Sequence, residues 1–191
     1  MFNISIGKTN CRISLLFPAV LLFWMWMDST WLASFGFLAA VQHEIGHLAA
    51  LLLCGGIPAE LTLSFFGMQM SVQDDPTLRS FKKAAVIAAG PAVNLVAAGC
   101  LFVCKVPDVY GMIHLLLGAF NLLPMMPLDG GQLFKLLLER HFDPTRCDRI
   151  LRLVGIVLLL LVTAFGIALC MYTGNFTLLL VAGYLAMLTL Q

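Results

Sequence analysis

The sequence predicts an all-α polytopic membrane protein with six transmembrane helices and a short β-hairpin between the second and third. Three observations predict it. Hydrophobic residues fill 61% of the 191 positions and charged residues only 11%, more apolar surface than a water-soluble domain of this length can hide. The apolar residues come in runs near the ~20 residues that a helix needs to cross a bilayer. Lys and Arg gather on alternate connections between those runs, as they do on the cytoplasmic side of membrane proteins.

Taken in order, the first span runs from about Ile13 to Met27, and Asp28-Ser29-Thr30 after it is a polar turn with helix-capping residues. The second runs from Trp31 to Cys54 and ends at Gly55-Gly56. In Ala59–Val72, Leu61, Leu63 and Phe65 alternate with Thr62, Ser64 and Phe66; past Gly67, Met68, Met70 and Val72 alternate with Gln69 and Ser71. That period of two predicts the hairpin. The third span covers Phe81 to Cys104. The fourth covers Tyr110 to Leu138, with a break at Pro124–Gly131. The fifth and sixth cover Ile150 to Tyr172 and Phe176 to Leu190. Residues 1–191 are expected to form a single membrane-embedded domain.

Of eleven Lys and Arg residues, only Lys105 falls on the outer side of this arrangement. Lys8, Arg12, Arg79, Lys82, Lys83, Lys135, Arg140, Arg146, Arg149 and Arg152 share the other. Both termini are therefore expected in the cytoplasm. No cleavable signal peptide is expected, because the bulky run Phe23–Met27 replaces the small residues of a cleavage site. A net charge of +1 gives no reason to expect nucleic acid. The six cysteines form no CxxC pair and read as small hydrophobes. Trp24, Met25, Trp26 and Met27 read as a lipid-facing or interfacial belt.

The second span carries His43-Glu44-Ile45-Gly46-His47. On a helix, positions i and i+4 share a face, so two imidazoles can hold one zinc ion with Glu44 beside it as acid/base. Ionisable groups in mid-membrane are expensive, and functional by default. Zinc also needs a third protein ligand and an open position. His114 reads as a packing or water-contacting residue, and His141 lies in a loop. Asp129, in the broken-helix segment Asn121-Leu-Leu-Pro124-Met-Met-Pro127-Leu-Asp129-Gly130-Gly131, is the better candidate; a plain helix cap is its alternative role. Counted in helical rises from the outer face, His43, His47 and Asp129 can meet in the cytoplasmic half of the membrane.

The H-E-I-G-H motif in a second span, Gly90-Pro91-Ala-Val-Asn94 in a third and N-L-L-P-M-M-P-L-D-G-G in a fourth resemble the site-2 protease family of intramembrane zinc metalloproteases. The likeness runs through nearly the whole chain. With no PDZ-like insert visible, it is most similar to the bacterial sporulation protein FB-type branch. The resemblance implies zinc on His43, His47 and Asp129, Glu44 as catalytic acid/base, and Asn121 positioning substrate or stabilising the transition state. It implies that Gly90, Pro91 and Asn94 form a packing motif of the third helix. It further implies a bacterial inner-membrane location, a membrane-tethered regulatory protein as substrate, and membrane regulatory proteins as further partners. The hairpin offers an edge on which an extended substrate can add as a strand. The nucleotide-sensing CBS domain of many sporulation-type members is not expected before Gln191, which weakens the sporulation role. A membrane zinc-binding transporter, or an inactive protease-like regulator, would also place histidines in a span.

Overall fold

The computed structural model describes residues 2–6, 9–13, 31–56, 58–64, 67–72, 80–105 and 108–189. The chain forms two compact units, residues 1–120 and 121–191. From residue 14 onward the first expected span lies outside the described residues, as do Trp24–Met27, Lys8 and Arg79.

In the first unit, strands β1 (Phe2–Ile6), β2 (Thr9–Ile13), β3 (Pro58–Ser64) and β4 (Gly67–Val72) form one sheet in the order β1-β2-β3-β4. β3 and β4 pair antiparallel, with Thr62 opposite Gln69, in the segment where the sequence alternates. β1 and β2 correct the all-α expectation. They pair antiparallel with Asn3 opposite Arg12, and β2 joins β3 in parallel with Asn10 opposite Glu60. Ile13 is the last residue of β2. The signal was present: Phe2, Ile4 and Ile6 alternate with Asn3 and Ser5, but the nearby basic residues drew the segment into a topological reading.

Helix α1 spans Leu32–Leu53 and α2 spans Ser80–Val103. The end of α1 is a Schellman turn: Gly55 sits at φ 82°, Gly56 N–H donates to Leu51 O at 3.0 Å, and Gly55 N–H donates to Leu52 O at 3.0 Å. Lys82 Nζ, in the first turn of α2, donates to the Cys54 carbonyl at 3.0 Å, satisfying another acceptor of that helix end. α1 packs along α2. Helix α3 spans Asp108–Asn121; Tyr110 on it reaches Gln42 of α1, O–H to Oε1 at 2.9 Å.

In the second unit, α4 spans Asp129–Leu138, α5 Pro144–Thr173 and α6 Thr177–Thr189. The expected fourth span is thus two helices joined by residues 122–128. The break is shorter than expected, since Gly130 and Gly131 lie inside the first turn of α4. They are glycines because the connecting loop lies on them: a Cβ on Gly131 would meet the Met125 carbonyl at 2.5 Å, and one on Gly130 would collide with the Leu122 backbone. α5 starts six residues before the expected Ile150, so Arg146 and Arg149 are helical and not in a loop. Lys135 on α4 pairs with Asp148 on α5 at 2.9 Å. Among the described residues, α1, α2 and α5 are long and apolar enough to cross a membrane; α6 and the larger part of α3 are shorter apolar helices.

Candidate metal centre

Helical spacing puts His43 and His47 on one face of α1, and that face is turned toward α2. Both imidazoles are buried, 5% and 7% exposed. Their Nε2 atoms lie 3.1 Å apart. Tetrahedral zinc, with nitrogens at about 2.0–2.1 Å, holds two of them about 3.3 Å apart. The far nitrogen of His47, Nδ1, lies 2.8 Å from the Val86 carbonyl. A carbonyl only accepts, so Nδ1 carries the proton and neutral His47 keeps a lone pair on Nε2. Metal-binding histidines are held in this way. The Val86 carbonyl lies next to that of Ile87, which loses its backbone donor because Pro91 has no N–H. The donor set and its geometry fit zinc.

Close approach of the two helices depends on two glycines. A Cβ on Gly90 of α2 would meet His43 Nε2 at 2.8 Å and His47 Nε2 closer still. A Cβ on Gly46, inside the H-E-I-G-H motif, would meet Ala89 O at 2.9 Å and Val93 Cγ2 at 2.9 Å. The motif glycine is thus a packing residue, which its spacing alone does not reveal. Gly90 had been read as packing; here the atoms it makes room for are the imidazoles themselves.

A further polar chain runs through the same unit. Asn94 and His114 are fully buried. Asn94 Nδ2 lies 3.1 Å from His43 Nδ1, and Asn94 Oδ1 lies 3.1 Å from His114 Nδ1. The Tyr110 ring packs edge-on against His114, centroids 4.6 Å apart, and at a tilt against Phe35, centroids 5.2 Å apart. The sequence reads Gly90, Pro91 and Asn94 as a packing site with a helix–helix hydrogen bond and His114 as a packing or water-contacting residue; the partners themselves are not legible, because residues 20 and 51 positions apart on different helices share no local pattern.

Glu44 follows His43 on α1 and is half-buried. Asn121 ends α3. In the second unit, Asp129 opens α4 and is half-buried; the N-cap is Leu128, so Asp129 is a first-turn acid and not the cap. His141 is exposed in the turn after α4, and Cys54, Cys100, Cys104, Cys147 and Cys170 are free.

Known proteins resemble this chain in sequence and in fold. Residues 105–162 match peptidase family M50. A protein of Synechocystis sp., provisionally named a zinc metalloprotease, is 36% identical over 110 residues, 52% of this chain and 29% of its own length. A zinc metalloprotease of Methanocaldococcus jannaschii is 28% identical over 145 residues, 69% of this chain and 41% of its own length. The chain therefore spans well under two thirds of the curated relatives it matches. The solved site-2 protease from Methanocaldococcus jannaschii shares the fold, with a TM-score of 0.68 over 98% of this chain and 94% of that one, at 22% identity. This is an integral membrane protein with zinc-metalloprotease relatives; its residues 105–162 match peptidase family M50, and it shares the fold of a solved site-2 protease.

Proposed function

We propose that the protein is an intramembrane zinc metalloprotease that hydrolyses peptide bonds of membrane-tethered regulatory proteins, with residues 1–191 acting as one catalytic domain. The observation that carries this reading is the buried imidazole pair, Nε2 to Nε2 at 3.1 Å, with a glutamate beside it on the same helix. His43, His47 and Asp129 are the proposed ligands, each offering one donor atom. For Asp129 the support is the motif and its place in the first turn of a helix that follows a proline-rich break. When bound, zinc supplies Lewis-acid chemistry, bringing the pKa of water toward ~7 and polarising the scissile carbonyl.

The chain's own residues do the rest. Glu44 takes the proton of the attacking water and delivers it to the leaving amine. The Asn121 amide donates to the developing oxyanion and orients the substrate. A substrate helix must unwind before its carbonyls can be reached. β4 is an edge of the sheet, which supports it as the place where the unwound segment adds as a strand. Six spans, cytoplasmic termini and a bacterial inner-membrane location belong to the same proposal, supported by the Lys and Arg bias. Nearness to the sporulation protein FB-type branch rests on the compact layout alone.

The test compares membrane proteomes of cells carrying the wild type and Glu44→Gln, alongside zinc analysis of both purified proteins. Accumulation of uncleaved membrane-tethered proteins in the variant, with one zinc retained, is expected. Unchanged processing removes Glu44 from the chemistry. Zinc uptake into vesicles containing the wild type would instead favour the transporter reading.

A further inference from the structure

We propose that Asn94 is the positioning residue that sets the tautomer of His43 for metal binding, and that His114, which does not face the imidazole pair, reports the state of that site. The proposal rests on His43 and His47 being ligands.

Hydrogen-bond chemistry allows the chain only two consistent directions. In one, His114 Nδ1–H donates to Asn94 Oδ1, Asn94 Nδ2–H donates to His43 Nδ1, and His43 Nε2–H donates to His47 Nε2, while His47 Nδ1–H donates to Val86 O. Every bond is satisfied, but His43 has its proton on the nitrogen that faces His47. That direction is incompatible with a metal. For His43 Nε2 to hold zinc, its proton must sit on Nδ1 and needs an acceptor there.

Asn94 supplies one by turning its planar amide over. Oδ1 then accepts from His43 Nδ1–H, and Nδ2–H points at His114. His114 Nδ1 must in turn become the acceptor, so its ring proton moves to Nε2. Each ring carries one proton in both directions, so the exchange changes no charge. His114 is free to follow: Nε2 has no hydrogen-bond partner among the described residues, and nothing on that side fixes its proton. An asparagine suits this position because it can either donate or accept through the same buried amide. A leucine of similar volume can do neither, and a carboxylate can only accept.

Two measurements on the full chain in detergent test this. In the first, zinc affinity is read by competition with a chromogenic chelator. Asn94→Leu is expected to weaken it about 10- to 100-fold, whereas Asn94→Asp, which still accepts from His43 Nδ1–H, stays near the wild-type value. The second needs no variant, so a misfolded Asn94→Leu does not block it. Nitrogen-15 histidine spectra of the wild type resolve ring tautomers, and the chain has only four histidines. His114 is expected as the Nδ1–H form without zinc and the Nε2–H form with it. A folded Asn94→Leu that binds zinc like the wild type, or a zinc-loaded His114 still protonated at Nδ1, overturns the proposal while leaving the metal reading intact. Zinc affinity unchanged by His43→Ala overturns both.

Discussion

α1 and α5 are both long enough to cross a bilayer, yet they place their polar side chains in opposite ways. α5 is the more apolar and bares Leu160, Leu161, Phe165, Met171 and Tyr172. Beyond its first turns, where Asp148 pairs with Lys135 of α4, the hydroxyls of Thr163 and Thr173 bond within the helix, to the Leu159 carbonyl at 2.7 Å and the Leu169 carbonyl at 2.8 Å. In α1, Gln42, His43 and His47 all reach across to other helices, to Tyr110, Asn94 and Val86. A lipid-facing helix must satisfy its polar groups internally. A helix that carries chemistry gives its polar groups to its neighbours, and its function then depends on how those neighbours pack. Substitutions that disturb the close packing of α1 on α2 should therefore cost zinc affinity and stability together, while matched ones in α5 should cost little.

The chemistry gives the largest expected effect. Glu44→Gln keeps size and hydrogen bonding but removes the proton acceptor, so hydrolysis of an accumulated substrate should fall by at least about 10²-fold. Zinc content and thermal stability should hold. An equal loss of zinc would mean that Glu44 serves the metal site and not the proton transfer.

Packing comes next. Gly90→Ala places a methyl against the Nε2 atoms of His43 and His47. Because the neighbours are rings fixed by their own hydrogen bonds, the helices must separate, at about 1–3 kcal/mol and with a clear loss of zinc affinity. Gly99, about two and a half turns along the same helix, has open space where a Cβ would go. Gly99→Ala is the control and should be neutral in both zinc titration and thermal melts. If both variants behave alike, close approach at Gly90 is not what shapes the site.

How legible this was in the sequence follows the same division. The ends of α1 and α2 could be read to within a residue or so, because apolar runs and the Gly55-Gly56 pair mark them locally. That His43 and His47 share one face of α1 could be read because helical periodicity is itself local. β1 and β2 were missed although their alternation is visible, since five-residue strands gain meaning only from the β3 edge that β2 joins, some 50 residues on. An interhelical hydrogen bond at Asn94 was legible, but its partners, the contact of His114 and the packing of Gly46 were not, because each depends on an atom of another helix. Gly130 and Gly131 read locally as helix breakers, whereas they are helical residues kept bare for the loop that covers them.

A smaller effect is expected where α1 meets α3. Tyr110→Phe removes one hydrogen bond, to Gln42, and leaves the ring packed against Phe35 and His114. Interhelical hydrogen bonds in membrane proteins contribute about 0.6 kcal/mol on average, with a maximum near 1.7. A small drop in melting temperature should follow, with zinc binding retained. A large loss of zinc would place Tyr110 in the His114–Asn94–His43 chain instead of beside it.

The smallest effect is expected on α5, at Thr163→Val. The hydroxyl shares the Leu159 carbonyl with the helix's own backbone N–H, so removing it leaves no acceptor unsatisfied. Valine has nearly the same shape and suits lipid at least as well. Stability in a denaturant titration should therefore stay within about 0.5 kcal/mol of wild type, and zinc affinity should not move. A cost approaching that of Gly90→Ala would mean that this face of α5 holds a partner helix, and the contrast between a self-contained span and a shared one would fail at the helix where it is sharpest.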